Sequence, residues 1–240
     1  MRAVILLGFL VPACLAPAQT SSPDGKIHTQ IEGIAIPAVP DAPFTAKIAV
    51  TWDEPLVGGG TLSRKYYTMV ARDSQGRVHR EIRDFVPATS NAEPRLRSFI
   101  IADPVASTSI TCLQDGFSCT VLDFHAPRTL TASTASHANG PNRQSLGEQT
   151  MNALPVVGSR EISTTGTGVR GNSRILISSK ELWYSPDLKM NLSVIRKDPQ
   201  LGQVTLTVTD LNRGEPDPSW FGVPGGYKIV DARTNLAETQ

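Results

Sequence analysis

The stretch "VTLTVTDL", residues 204–211, has the alternation that decides the fold class. Val204, Leu206 and Val208 lie on one face of an extended chain, and the threonines between them lie on the other. A period of two is typical of a strand that is buried on one side only. We therefore predict a strand here with one apolar face.

The same alternation recurs through the chain. In "KIAVTW", residues 47–52, it places Ile48, Val50 and Trp52 on one face, and it continues in "RVHREIRDFV", residues 77–86. Turn signals separate such segments at intervals of roughly ten residues. No window of a dozen residues has the three-and-four spacing of an amphipathic helix. The sequence thus predicts a mainly β protein, an antiparallel meander with few short helices.

Two cysteines flank the strongest hairpin signal, Asp115-Gly116. A two-residue turn and a four-residue loop over 114–117 both leave Cys112 opposite Cys119, and both allow a disulfide. An even number of cysteines in an exported chain favours this bond. Two buried free thiols are the alternative.

The N-terminus, "MRAVILLGFLVPACLAPAQT", has the order of a secretory signal: Arg2, an apolar run, then Ala-Pro-Ala. We predict a signal peptide over 1–18, cleavage before Gln19, and export to the periplasm or the extracellular space. The apolar run is too short for a transmembrane segment. In an alternative interpretation "LVPAC" is a lipobox that would lipidate Cys14, although Pro12 fits such a motif poorly.

Charge argues against two classes of partner. Cleavage removes Arg2, one of 23 basic side chains, and leaves 22 to balance 22 acidic ones. Nucleic acid and anionic membrane surfaces attract proteins with a basic excess, which the mature chain lacks.

The motifs of cofactor and metal chemistry are weak. Gly166, Gly168 and Gly171 match a dinucleotide fingerprint in spacing, but the flanking segments indicate strands rather than a strand followed by a helix. We interpret them as a glycine-rich hairpin loop and predict no cofactor. The histidines have no metal-ligand spacing and are expected on the surface or in loops: His28, His79, His125 and His137.

Catalytic residues cannot be assigned. Asp123 and His125 share a strand face and could form a hydrogen bond, as the carboxylate and the histidine base of a catalytic triad do. No nucleophile motif accompanies them. The remaining carboxylates of interest are scattered: Glu81, Asp84, Glu161 and Glu181. Five aromatic side chains could line a ligand cavity or belong to an ordinary core: Trp52, Tyr66, Tyr67, Trp183 and Tyr184.

The segment "EPDPSWFGVPGGYKIVD", residues 215–231, combines prolines and glycines with large aromatic side chains. Asp217 is an N-cap candidate, and Pro218 suits the first position of a single helical turn. One turn is not stable alone, so we expect Trp220 and Phe221 to be buried against the apolar face of 204–208. An edge strand should follow at "YKIV".

This region resembles the C-terminal part of secreted bacterial proteins with a LolA-like (lipoprotein carrier-like) fold. The matching positions are Pro216, Asp217, Phe221, Pro224, Gly226 and Tyr227. The resemblance is specific over 174–232 and general over 43–124, and the chain is also similar to uncharacterised secreted bacterial proteins. It implies a curved antiparallel sheet or incomplete barrel whose concave face can hold an acyl chain. The amphipathic segments of the family's lid helices are missing here.

We therefore expect an extended N-terminal lead over 19–42 along the sheet edge, a single β-rich domain over 43–232 and a flexible tail over 233–240. Residues 125–144 should form a mobile loop. The predicted function is non-enzymatic binding of an apolar ligand or a lipidated protein in the curved sheet. A structural or protein-interaction scaffold with a self-filled core is the alternative, and a hydrolase is less favoured. The ligand-binding residues stay unidentified.

Overall fold

A computed structural model describes residues 33–126 and 142–233. The signal peptide, Cys14, His28, His137 and most of the predicted mobile loop and tail lie outside these residues. In chain order the strands are β1 (Phe44–Pro55), β2 (Thr61–Arg72), β3 (Val78–Arg83), β4 (Val86–Pro87), β5 (Leu96–Asp103), β6 (Thr108–Leu113), β7 (Ser118–Asp123), β8 (Asn142–Met151), β9 (Leu154–Thr165), β10 (Leu176–Ser185), β11 (Met190–Asp198), β12 (Gly202–Asn212) and β13 (Lys228–Asp231).

The strands form one open, curved sheet in the order β13-β7-β6-β5-β3-β2-β1-β12-β11-β10-β9-β8, and β4 pairs with β2. The pairs are antiparallel, apart from β13, which runs parallel to β7. The described residues contain one helical element, a 3₁₀ turn at Pro218–Phe221. The predicted fold class, a mainly β protein built on a curved antiparallel sheet, is confirmed.

The alternation of β1 and β12 defines the main core. Ile48 pairs with Val208 and Val50 pairs with Leu206, so their side chains share one face of the sheet, here called the inner face. These residues belong to a cluster with the buried side chains of β9 and β11. The strand predicted at 204–211 and its apolar face are confirmed.

Residues 33–42 lie across the inner face. Ile34 is 2% exposed and packs into the same cluster as Ile48 and Leu206. The predicted position of this segment, along the sheet edge, is therefore wrong. Prolines prevent the segment from pairing as a strand, but they allow an extended chain whose Ile34 side chain gains burial by crossing the face.

Arg72, at the end of β2, holds this segment in place. Its guanidinium is fully buried and donates hydrogen bonds to the carbonyls of Ala42, Pro37 and Leu188, at 2.9, 3.0 and 2.8 Å. Phe44 packs against the same guanidinium. No carboxylate of the described residues forms an ion pair with it, and burial lowers the pKa of Arg72 to about 10.

A second, smaller core lies on the opposite face. Ala71 pairs with His79 on β3, so His79 points away from the side that Val70 and Arg72 occupy. Behind it, Phe99, Ile101 and the two cysteines form a buried cluster on that outer face. The sheet thus buries different faces in its two halves.

The predicted disulfide is present in this second core. Cys112 and Cys119 are paired across β6 and β7, with their Cα atoms 4.0 Å apart. The connecting loop has four residues, 114–117, the longer of the two turns that the sequence allowed. Both cysteine side chains are fully buried.

The C-terminal turn covers the second core. The Asp217 carboxylate accepts a hydrogen bond from the Ser219 backbone N–H at 2.8 Å, and β13 follows as an edge strand, both as predicted. The predicted packing partner is wrong. Trp220 and Phe221 are half-buried against the outer face, near His79, and not against Val204, Leu206 and Val208. The inner face at β12 is already filled by the main core.

His79 is buried, contrary to the expectation of a surface histidine. Its ring stacks on Phe99 at 5.4 Å and meets the Trp220 ring edge-on at 5.0 Å. Its Nδ1 lies 2.8 Å from the Trp220 carbonyl, which fixes Nδ1 as the protonated nitrogen of the neutral ring. Burial lowers the pKa of His79 below its ordinary value of 6.5, against the smaller opposing effects of that carbonyl and of Glu81.

Replacing Arg72 with methionine should lower the free energy of unfolding by roughly 3–5 kcal/mol. The carbonyls that lose their donors are in or near the core, and each unsatisfied one costs about 1–3 kcal/mol. Arg95, whose side chain is 60% exposed, is the control. Arg95→Met should cost less than about 1 kcal/mol. Equal urea midpoints for the two variants would contradict the role of Arg72.

The depressed pKa of His79 predicts a pH-dependent stability. Between its folded pKa and 6.5 the unfolded chain binds the proton that the folded chain excludes. The contribution of His79 is therefore fully present above pH 6.5 and is lost as the pH falls toward the folded pKa. Urea unfolding at pH 7.5 and 5.5 should show this loss in the wild type, and His79→Gln should reduce it. An unchanged pH dependence in the variant would refute the assignment.

Candidate ligand-binding face

The inner face has a filled half and an open half. Across β1, β2, β11 and β12 it is filled by the main core and by residues 33–42. On the strands from β3 to β13 it is buried at Val78 and Ser98 and becomes exposed toward β7 and β13. We call this region the open patch; its members are Ile82, Ile100, Ala102, Ser109, Thr111, Leu113, Thr120, Leu122 and Val230.

Register places the open patch on the inner face. Val70 pairs with Arg80 on β3, and Arg80 pairs with Ile100 on β5. The row continues through Thr111 and Thr120 to Val230. Because cross-strand partners project from the same face, this row shares the side of the sheet that Val70 occupies.

The open patch is apolar and neutral for a sheet surface. Leu113, Leu122 and Val230 are 51%, 46% and 45% exposed. A solvated sheet face usually carries charged side chains, whereas this one carries Arg80 at one end and Lys228 at the other. The exposed apolar side chains alternate with the hydroxyl side chains of Ser109, Thr111 and Thr120, and exposed apolar surface of this kind is a candidate contact site for a ligand or partner.

A small cavity lies where the two halves meet. Its volume is about 90 Å³, and its lining includes Ile34, Ile48, Tyr66, Arg80 and Ile82. Ligand pockets usually measure about 300–1,000 Å³. The cavity is therefore too small to enclose a ligand by itself, and a bound molecule would extend over the open patch.

The positive charge of Arg80 reaches the cavity. Tyr66, half-buried beside it, has a raised pKa because of burial, and the nearby cations Arg80 and Arg196 partly oppose that effect. The other arginine of this region, Arg64, forms an ion pair with Glu54 and packs over Trp52. The cavity lining also includes Glu81, which forms an ion pair with Arg83, whereas Arg80 has no described carboxylate within ion-pair distance.

The aromatic side chains divide between the two roles left open by the sequence. Tyr66 lines the cavity, whereas Trp183 packs on the main core. Tyr67 lies on the opposite face from Tyr66, between the cations of Lys47 and Arg83.

The candidate catalytic groups are not brought together. The four carboxylates each form an ion pair with an arginine: Glu81 with Arg83, Asp84 with Arg95, Glu161 with Arg143 and Glu181 with Arg160. Asp123 ends β7, and both it and His125 are exposed. Within residues 33–126 and 142–233, no three His, Cys, Asp or Glu side chains are grouped as metal ligands.

The glycine-rich stretch is a hairpin loop, as interpreted. It connects β9 to β10, which pair antiparallel from Thr165 and Leu176. Gly168 and Gly171 have φ of 82° and 71°, the left-handed conformation that glycine adopts without strain.

No protein-family model matches this sequence, and no curated protein is similar to it. The fold is similar to several solved structures. The complex of MucA and MucB from Pseudomonas aeruginosa matches at 13% identity and a TM-score of 0.43, over 80% of this chain and 59% of that one. This chain therefore spans less than two thirds of the length of the matched protein.

Two further structures come from smaller proteins. LprF from Mycobacterium bovis matches at 13% identity and a TM-score of 0.30, over 73% of this chain and 90% of that one. A LolA superfamily protein from Nitrosomonas europaea matches at 13% identity and a TM-score of 0.27, over 77% of this chain and 91% of that one. The chain is similar to these structures, and no residue role is transferred from them.

The open patch could not be predicted from the sequence, because the alternation in its strands is the same as in any strand that is buried on one face. In "SITCLQ" the alternation separates Ile110 and Cys112 from Thr111 and Leu113, but it does not reveal which set is covered. Separately, the described part of the chain contains no helix that is long and apolar enough to span a membrane.

Proposed function

We propose that this protein is a non-enzymatic, exported binding protein that holds an apolar ligand, or the acyl group of a lipidated partner, on the open patch of its inner face. The observation that carries the proposal is the pairing of an uncovered, neutral sheet face with a cavity at its end. The cavity and the patch share Ile82, so a chain entering the cavity would continue over a surface whose side chains are apolar or carry a single hydroxyl group.

Apolar burial supplies the binding free energy in this proposal. Leu113, Leu122 and Val230 each expose about half of their side-chain surface. Covering such surface contributes about 25 cal/mol per Å². The threonines between them are uncharged, and each has a methyl group that can contact an apolar neighbour.

Export is part of the proposal. The signal-like residues 1–18 motivate it, and the buried Cys112–Cys119 disulfide supports it, because such bonds persist in oxidising compartments. The N-terminal sequence of protein recovered from an expressing bacterial culture tests this point. A chain beginning at Gln19 is expected, and an acylated chain beginning at Cys14 would favour the lipoprotein alternative.

A second candidate function is a protein-interaction scaffold. It is favoured by the main core, in which Ile34 and the neighbouring segment fill the half of the inner face where a curved sheet would otherwise enclose a ligand. Under this alternative the open patch contacts the surface of a partner protein and has no affinity for isolated apolar molecules.

Methyl dodecanoate, a neutral ester, tests apolar binding. It should raise the melting temperature of the wild-type protein and give saturable heat on calorimetric titration. Leu122→Glu places a charge on the open patch and should weaken this binding at least fivefold, since a buried unpaired charge is costly.

Ile229→Glu is the matched control. Ile229 is 56% exposed, comparable to Leu122, but it pairs with Cys119 and so lies on the outer face. Its substitution should leave ester binding unchanged. Absence of binding to the wild type by both the ester and its parent acid, dodecanoate, would reject the proposal in favour of the scaffold, and equal losses in both variants would reject the open patch as the site.

A further inference from the structure

One cation lies at the junction of the cavity and the open patch. Arg80 lines the cavity together with Gly33 and Tyr66, and it starts the row of inner-face residues that ends at Val230. Its terminal nitrogen lies 3.5 Å from the position that a Cβ on Gly33 would occupy. The guanidinium is therefore at the cavity, at the inner end of the patch.

Arg80 differs from the arginines around it in its partners. Arg64 pairs with Glu54, Arg83 pairs with Glu81, and Arg95 pairs with Asp84. No carboxylate among residues 33–126 and 142–233 lies within ion-pair distance of Arg80. A half-buried cation without an anion beside it favours binding of an anion that arrives with a ligand.

The open patch extends from this cation in one direction. From Arg80 on β3 the row crosses β5, β6 and β7 to Val230 on β13. Four strand spacings of about 4.8 Å give a length of roughly 19 Å. The intervening side chains are Ile100, Thr111 and Thr120, and none of them is charged. The surface thus has Arg80 at its cavity end, a neutral body, and Lys228 at the edge strand.

We propose that the ligand is an amphiphile with one anionic headgroup, bound with the headgroup on Arg80 and the tail across the open patch. This inference rests on the proposed function and specifies the chemical class of the ligand. In this proposal Arg80 determines specificity, and Tyr66, which lines the same cavity, offers a second hydrogen-bond donor to the headgroup.

The physical basis is charge complementarity in a partly dehydrated site. A guanidinium donates two parallel hydrogen bonds to a carboxylate or to a phosphate, and such bonds are about twice as strong as neutral ones. A neutral ester of the same tail keeps the apolar contacts but loses these bonds. The acid should therefore bind more tightly than its ester, even though water solvates the acid better.

Three probes with the same tail separate the contributions: dodecanoate, methyl dodecanoate and dodecyl phosphate. Calorimetric titration of the wild-type protein below the aggregation concentration of each probe should give at least tenfold tighter binding of one or both anions than of the ester. Comparison of the two anions shows whether a carboxylate or a phosphate headgroup is preferred.

Arg80→Gln should remove that preference, with a loss of about tenfold for the anions and no change for the ester. Arg80→Lys keeps the charge and should retain a preference for the anions. Arg97→Gln is the matched control. Arg97 lies one residue before inner-facing Ser98 on β5, so its exposed side chain belongs to the outer face, where it pairs with Asp84. The Arg97→Gln variant should bind all three probes with the same affinity as the wild type.

Two results would overturn the inference, and they are distinguishable. If the ester binds the wild type as tightly as the anions, or if Arg80→Gln and Arg97→Gln affect the anions equally, the headgroup assignment is wrong while apolar binding stands. If none of the three probes binds, the proposed function fails and the inference fails with it.

Discussion

The buried guanidinium of Arg72 is the interaction on which the rest of the fold depends. It joins three parts of the chain that are distant in sequence: the segment before β1, the end of β2, and the turn between β10 and β11. A guanidinium has five N–H donors and no acceptor, so it can satisfy several carbonyls that no strand partner reaches. Residues 33–42 contain prolines and form no strand, and Arg72 supplies hydrogen bonds that a sheet would otherwise give them.

The second constraint is that the sheet buries opposite faces in its two halves. At the β2–β3 pair, Arg72 points into the main core while its neighbour Ala71 pairs with His79 of the second core. The segment before β1 covers one half from the inside, and the C-terminal turn covers the other half from the outside. Because the two covers lie on opposite faces, described side chains such as Leu113 and Leu122 are exposed on the inner face of the second half. The candidate binding face is a direct result of this arrangement.

Strands with strict alternation could be predicted from sequence, as β1 and β12 show, and so could the disulfide and the capped turn at Asp217. The hairpin β8–β9 could not, because most side chains of β8 are exposed and a strand that buries nothing has no apolar period. Nor could the partners of Trp220 and Phe221, or the burial of His79, because alternation identifies two faces without indicating what lies over each. Arg80 was not identified because its position at the cavity, away from any described carboxylate, depends on three-dimensional contacts that sequence spacing does not encode.

The pairing of β1 with β12 has a consequence for the order in which the chain folds. Lys47 and Thr209, which are hydrogen-bonded across this pair, are 162 positions apart in sequence. The centre of the sheet cannot close until nearly the whole chain is present, whereas the β6–β7 hairpin needs only its four-residue loop. Folds dominated by such distant pairings form slowly, because the chain loses the entropy of closing a long loop before the stabilising contacts form. A chain with this topology therefore keeps its central strands unpaired until its last strands are available.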